Sequence, residues 1–131
     1  MSEHERPPVG TIGWIDLTVE DAVSVRDFYA HVCTWETSAF DMGGYEDFCM
    51  HPPASDDHVA GVCHSRGTNA QMPGGWMMYV VVPDAHEAAE RAEQRGGEVV
   101  VEPKPVMDGH MAIIKDPAGH HFGVMSWPDH P

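Results

Sequence analysis

Positive charge is scarce in this chain. Seven Lys and Arg stand against 21 Asp and Glu in 131 residues, a formal charge of −14, and the seven are scattered. Such a surface repels a phosphate backbone, and no basic cluster overrides the sum, so nucleic acid is excluded as a partner. Long apolar runs are also missing. Nothing approaches the ~18 apolar residues of a spanning helix, and the opening Met-Ser-Glu-His-Glu-Arg-Pro-Pro-Val lacks the apolar core of a secretory signal. The expectation is a cytoplasmic protein that meets no membrane. Cysteine is sparse: Cys33, Cys49 and Cys63 contain no Cys-x-x-Cys pair, which argues against a disulfide framework or a zinc knuckle and for three small buried apolar groups. The ten histidines are spread along the chain and read mostly as surface residues.

What is present is a repeat. The stretch Gly13-Trp14-Ile15-Asp16-Leu17-Thr18-Val19-Glu20-Asp21 is echoed from Gly75-Trp76 to Pro83-Asp84, and Ala60-Gly61-Val62-Cys63 by Phe122-Gly123-Val124-Met125, both beginning 62 positions later. Thr34-Trp35-Glu36 maps by the same shift onto Gly96-Gly97-Glu98. Two matching halves imply a duplicated supersecondary unit, each copy completing the burial of the other. Residues 1–10 read as a flexible tail and 11–131 as a single domain, with module one at about 11–66 and module two at about 75–128.

Each half reads strand, helix, strand, strand, strand. In residues 12–19, Ile15, Leu17 and Val19 alternate with Trp14, Asp16 and Thr18, the period of a strand with two different faces. Asp21 is placed to cap a helix whose buried stripe is Val25, Phe28, Tyr29 and Val32. Strands at 36–40, 45–51 and 59–65 follow, separated by Gly43-Gly44 and Pro52-Pro53. A Gly- and Asn-bearing loop over 66–75 leads to the second copy: a strand at 76–82, a helix opened by Asp84 with Glu87 at capping-box spacing, an alanine stripe of Ala85, Ala88, Ala89 and Ala92, and a stop at Gly96-Gly97. Strands at 98–102, 110–115 and 121–127 close it, the last two joined through Asp116-Pro117-Ala118-Gly119 in a type I turn.

A duplicated βαβββ unit with Asp21 seven residues before Phe28-Tyr29, a Trp-bearing turn at Thr34-Trp35 and a closing Asp116-Pro117-Ala118-Gly119 resembles the vicinal oxygen chelate superfamily of glyoxalase I, extradiol dioxygenases, fosfomycin-resistance and bleomycin-binding proteins. The resemblance implies an α+β fold of two tandem modules, curved mixed sheets around a central groove with helices outside, and commonly a homodimer. In the metal-dependent members it also implies ligands facing inward from the first strand of each half and from the last strand. Counted by those motifs, the positions here are Trp14, Met77, Gly61 and Gly123, none of which ligates a hard divalent ion through its side chain. The resemblance therefore implies this fold with no metal residues and no cofactor at those positions.

Residues sharing the inward face are then the candidates. Asp16 and Tyr79 stand at matching registers of the first strands, and Cys63 and His121 flank the glycines of the last strands. Together with Trp14, Met77 and Met125 they form the expected ligand-binding set. Asp16 is the candidate general base, since burial raises a carboxyl pKa towards neutrality. Tyr79 is the candidate hydrogen-bond donor to an oxyanion, and His121 an alternative proton carrier. A displaced metal site of Asp, Cys, Tyr and His is the competing expectation. Trp14 and Trp76 both open inward strands as possible platforms for a planar ligand. His86-Glu87 and Glu90 read as a solvated helix face, His120-His121 as rings on opposite sides of a strand, and His64 and Arg66 as a charged loop lip. The function expected is binding of a small, partly apolar molecule, in the manner of the bleomycin-binding branch; the rival is a metal-dependent or Asp-based lyase, isomerase or dioxygenase.

Overall fold

The computed structural model describes residues 6–128. Strand β1 (Ile12–Val19) leads into helix α1 (Ala22–Cys33) and strands β2 (Glu36–Asp41), β3 (Glu46–His51) and β4 (Ala60–His64). After a single 3-10 turn at Gly67–Asn69 the order returns as β5 (Trp76–Val81), α2 (Ala85–Gln94), β6 (Glu98–Val106), β7 (Gly109–Lys115) and β8 (His121–Ser126). The fold is α+β, with the two tandem βαβββ modules expected from the sequence. No helix among the described residues is long and apolar enough to cross a membrane.

The chain forms two compact units, Trp14–Trp76 and a second that joins the segment up to Gly13 to the part from Met77 onward. In the first, the strand order is β2-β3-β4-β1, with β1 parallel to β4 and the other pairs antiparallel. The second has the equivalent order β6-β7-β8-β5, with β5 parallel to β8. A parallel first and last strand follows from the connection: the chain must cross over through the helix before it returns to the same edge.

Each helix starts on a capping aspartate. Asp21 accepts from the Ser24 N–H at 3.1 Å, and Asp84 from those of His86 and Glu87 at 2.8 and 3.2 Å. Both carboxyls are held below their ordinary pKa chiefly by these backbone donors. The caps lie 63 positions apart, not 62. The offset falls to 62 only after the helices, because α2 is the shorter of the two.

Core residues sit between helix and sheet. In module one Ala22, Phe48, Met50, Ala60 and Val62 are buried, with Val25, Tyr29, Ala30 and Trp35 packed against them. The expected α1 stripe is corrected at two positions. Phe28 and Val32 are 58% and 61% exposed, because the helix turns Ala22, Val25 and Tyr29 to the sheet and carries their neighbours outward. Cys33 is likewise exposed rather than buried, at the outer end of the same helix. In module two the alanine stripe packs as read: Ala85 and Ala89 are buried, and Ala88 and Ala92 lie against Ala112, Ile114 and Val124. The β7–β8 hairpin closes through the Asp116 turn, with Gly119 N–H donating to the Asp116 carbonyl at 2.9 Å.

Of the segment read as a tail, residues 1–5 lie outside the described residues. Gly10 N–H donates to the Val81 carbonyl at 2.8 Å and Val81 N–H to Thr11 at 2.8 Å, while Arg6 pairs with Asp108 and lies over the Trp127 ring.

The helix exits differ in one residue. Thr34 closes α1 at φ +61°, in the left-handed region where a β-branched side chain is strained, and its counterpart after α2 is Gly96 at φ +89°. Thr34 is exposed, so Thr34→Gly relieves that strain without opening a cavity. We expect a gain of about 0.5–1 kcal/mol by chemical denaturation, and a loss of about 1–2 kcal/mol for the mirrored Gly96→Thr.

Candidate functional site

The sheet face opposite the helix, called here the inner face, carries the candidate residues of each module. In module one, alternation along β1 turns Leu17 and Val19 towards the helix side and Trp14, Asp16 and Thr18 to the inner face. Asp16 is paired with Gly61 and Thr18 with Cys63 in the parallel ladder. On β3, Phe48 and Met50 enter the core, so Asp47, Cys49 and His51 lie on the inner face, with Cys49 opposite Gly61. Trp14, Asp16 and Cys63 are therefore brought together as the sequence suggested.

Asp16 is the electrostatic centre of this group. Burial raises its pKa to about 6, helped by the nearby Asp47 carboxylate and opposed by the Trp14 indole N–H. The Oδ1 atom is buried and has no hydrogen-bond partner among the described residues. Asp47 is already engaged: it accepts from the His64 backbone N–H at 2.8 Å, and it acts on the Cys63 thiol. Burial, and then the two aspartates, push the Cys63 thiol well above its ordinary pKa, and Cys49 is raised for the same reason. Neither is an activated thiolate. The sequence reading missed Asp47 and Cys49. The signal was present, since Asp47, Cys49 and His51 alternate with Phe48 and Met50 at period two.

Module two places Met77, Tyr79 and Val81 on the inner face of β5, with Tyr79 opposite Gly123 in the parallel ladder. His121, Gly123 and Met125 share the corresponding face of β8, away from Phe122 and Val124 in the helix-side core. Met77, Tyr79, His121 and Met125 thus share one face of this module. Trp76 is a correction. Its ring packs at 5.1 and 6.3 Å from Tyr29 and Trp35, and its indole N–H donates to the Tyr29 hydroxyl at 2.9 Å. The 63-residue offset in the first strand makes Met77, not Trp76, the counterpart of Trp14, so Trp76 belongs to an aromatic cluster beside α1.

The two glycines have a shared role. A Cβ on Gly61 would stand 3.2 Å from Cζ2 of the Trp14 ring and 3.3 Å from Asp16 Cβ, and one on Gly123 would run into the Tyr79 ring. In each module a large first-strand side chain lies across a bare glycine of the last strand. Trp14, Met77 and the two glycines are the positions where the vicinal oxygen chelate resemblance calls for metal ligands. An indole, a buried thioether and two glycines under rings do not fit a divalent ion that needs several N or O donors, and among the described residues no three His, Cys, Asp or Glu side chains are grouped to hold one.

Residues set aside in the sequence take internal contacts. His64 Nδ1 lies 2.9 Å from the Glu46 carbonyl and its ring 5.7 Å from Tyr45, over which Arg66 also stacks at 4.3 Å. His86, exposed on α2, meets His110 at 5.2 Å. His120 is in the turn and His121 on β8.

Residues 11–124 match the model of the Glyoxalase/Bleomycin resistance protein/Dioxygenase superfamily. The chain belongs to this superfamily. An anthracycline biosynthesis protein, DnrV of Streptomyces peucetius, is 34% identical over 132 aligned positions covering 88% of this chain and 46% of that protein. The putative glyoxylase CFP32 of Mycobacterium tuberculosis is 27% identical, covering 88% of this chain and 44% of its own. The chain thus spans about half the length of the curated relatives it matches. Among solved structures, a superfamily member from Vibrio splendidus superposes with a TM-score of 0.56 at 14% identity, over 86% of this chain and 96% of that one.

Two outcomes test the site. Because the folded pKa of Asp16 is raised, the native state holds its proton between about pH 4 and 6 more tightly than the unfolded chain, and ionising it above pH 6 costs stability, at most about 3 kcal/mol. Asp16→Asn should therefore be more stable than the parent at pH 7.5 and converge with it at pH 4, followed by urea denaturation at each pH. Gly123→Ala should cost about 1–3 kcal/mol by displacing the Tyr79 ring, and most of that loss should vanish in a Tyr79→Leu background, measured as a double-mutant cycle.

Proposed function

We propose that the chain is a small-molecule-binding protein of the glyoxalase/bleomycin-resistance type, holding a compact, partly apolar ligand on its inner sheet faces without a divalent metal at the family's ligand positions. The observation that carries this reading is the ring laid across a glycine in each module. Trp14 over Gly61 and Tyr79 over Gly123 put apolar area and hydrogen-bonding edges where chelating relatives need donor atoms. The binding set is Trp14, Asp16, Cys63, Met77, Tyr79, His121 and Met125. The two curated relatives, one an anthracycline biosynthesis protein and one a putative glyoxylase, are both compatible with a small-molecule ligand. A cytoplasmic location and a homodimer belong to the same proposal.

A second reading is favoured by one feature. The buried, unpartnered Oδ1 of Asp16 and a carboxyl that titrates near neutrality suit a general base. In that enzyme reading Asp16 takes a proton from the substrate, Tyr79 donates a hydrogen bond to the oxyanion that forms, and His121 is the alternative proton carrier.

Elemental analysis and a thermal-shift scan decide between binding and metal chemistry. No stoichiometric divalent metal should copurify, and divalent ions should leave the melting midpoint unmoved. A planar apolar ligand at 100 times its Kd should stabilise the fold by about 2.7 kcal/mol. A stoichiometric metal that raises the midpoint overturns the proposal. Asp16→Asn separates the readings further: ligand binding tolerates it, whereas proton abstraction would lose roughly 10²–10⁴ in rate.

A further inference from the structure

The duplication supplies an internal control for how each helix should seat on its sheet. With the 63-residue offset, Ala22 of α1 corresponds to Ala85 of α2, Val25 to Ala88 and Tyr29 to Ala92. In module one Val25 and Tyr29 fill the space beneath the helix, against Phe48 and Met50. Module two has only methyl groups at those two places, and Ala112 stands where the strand pairing puts Phe48 in module one. Phe122 in place of Ala60 restores part of the volume. What remains open is a crevice of about 320 Å³ between α2 and the sheet, floored by Val82, Ile114, Phe122 and Val124 and walled by Ala88 and Ala92.

The lip of the crevice carries charge. Asp84 is engaged with the first N–H groups of α2, so its charge is already answered. Arg91 occupies the place of Phe28 and, among the described residues, makes no ion pair, although Glu87 stands one turn before it. A planar guanidinium over an apolar slot suits a carboxylate whose ring enters the slot. Glu87 at the same lip opposes a doubly charged anion such as a phosphate monoester. The size is set by what is missing: a phenol ring and two methyl groups.

We propose that this crevice is a second binding site, separate from the inner faces, for a small monocyclic aryl carboxylate, with its ring replacing the Tyr29 ring of module one and its carboxylate on Arg91. The site does not depend on the reading of the inner faces given above.

Phenylacetate is the probe, titrated into the full chain and followed by NMR at the methyls of Ile114 and Val124, with benzyl alcohol as its uncharged counterpart. Phenylacetate should saturate with Kd on the order of 0.1–1 mM, the range open to a ligand of this size. Benzyl alcohol should bind at least fivefold more weakly, and Arg91→Gln should bring phenylacetate to that weaker level. Ala92→Phe and Ala88→Val fill the slot from within, so each should weaken binding at least tenfold while melting remains cooperative. Should Ala92→Phe fail to fold, the smaller Ala88→Val decides. The proposal is overturned by absence of saturable binding, by benzyl alcohol binding equally well, or by binding that survives the filled variants.

Discussion

A parallel ladder between the first and last strand of each module is the constraint on which the rest depends. It sets Asp16 opposite Gly61, with the Trp14 ring reaching the same glycine from two residues earlier on that face, and it sets Tyr79 directly opposite Gly123. Cross-strand neighbours on one face lie within contact distance, so a large residue can flatten onto the sheet only where its partner has no Cβ. The same register commits Phe48, Met50 and Val62 to the helix side, and Asp47 and Cys63 to the other. A slip of one residue would exchange the two sets and bury carboxylates under α1.

How much of this was legible in the sequence differs by feature. The tandem modules, both capping aspartates, the Asp116 turn and the facing of β1 were all readable, because period-two alternation and turn chemistry are local. The site positions were paired at the right registers, Trp14 with Met77 and Asp16 with Tyr79, and what escaped was the meaning of the offset between them for Trp76. A constant shift of 62 holds for the last strands but is 63 for the first strands and the helix starts, since α2 ends earlier than α1. One missing residue inside a helix is invisible to alternation, yet in a strand it exchanges faces, and it carried Trp76 from the expected platform into the cluster with Tyr29 and Trp35. The α1 stripe was misjudged for a related reason. Phe28 and Val32 fit the helical period, but a narrow contact with the sheet needs only Ala22, Val25 and Tyr29. Asp47 escaped because its importance lies in partners distant along the chain, His64 and Cys63.

Copies that share a plan have diverged on both of their faces. Module one pairs a polar inner face, with Asp16, Asp47 and two thiols, with a helix seated on bulky side chains. Module two pairs a Met- and Tyr-lined inner face with a helix seated on alanines. The buried carboxyl raised towards neutrality lies on the inner face of the first, and the crevice beneath α2 lies in the second. The specialisation is the expected fate of a duplicated unit in which each half already has its own core.

The earliest described residues are fastened to the latest. Gly10 and Thr11 exchange bonds with Val81, while Arg6 waits for Asp108 and Trp127. On the ribosome these partners emerge many seconds after residues 6–13 have left the exit tunnel, at ordinary synthesis rates of about 5–20 residues per second. Throughout that interval the nascent chain carries an unsatisfied strand-like leader ahead of a first module whose own ladder is complete, and closing so long a loop is the slowest kind of contact to make. The contacts of residues 6–13 with Val81, Asp108 and Trp127 therefore close after the ladder of the first module.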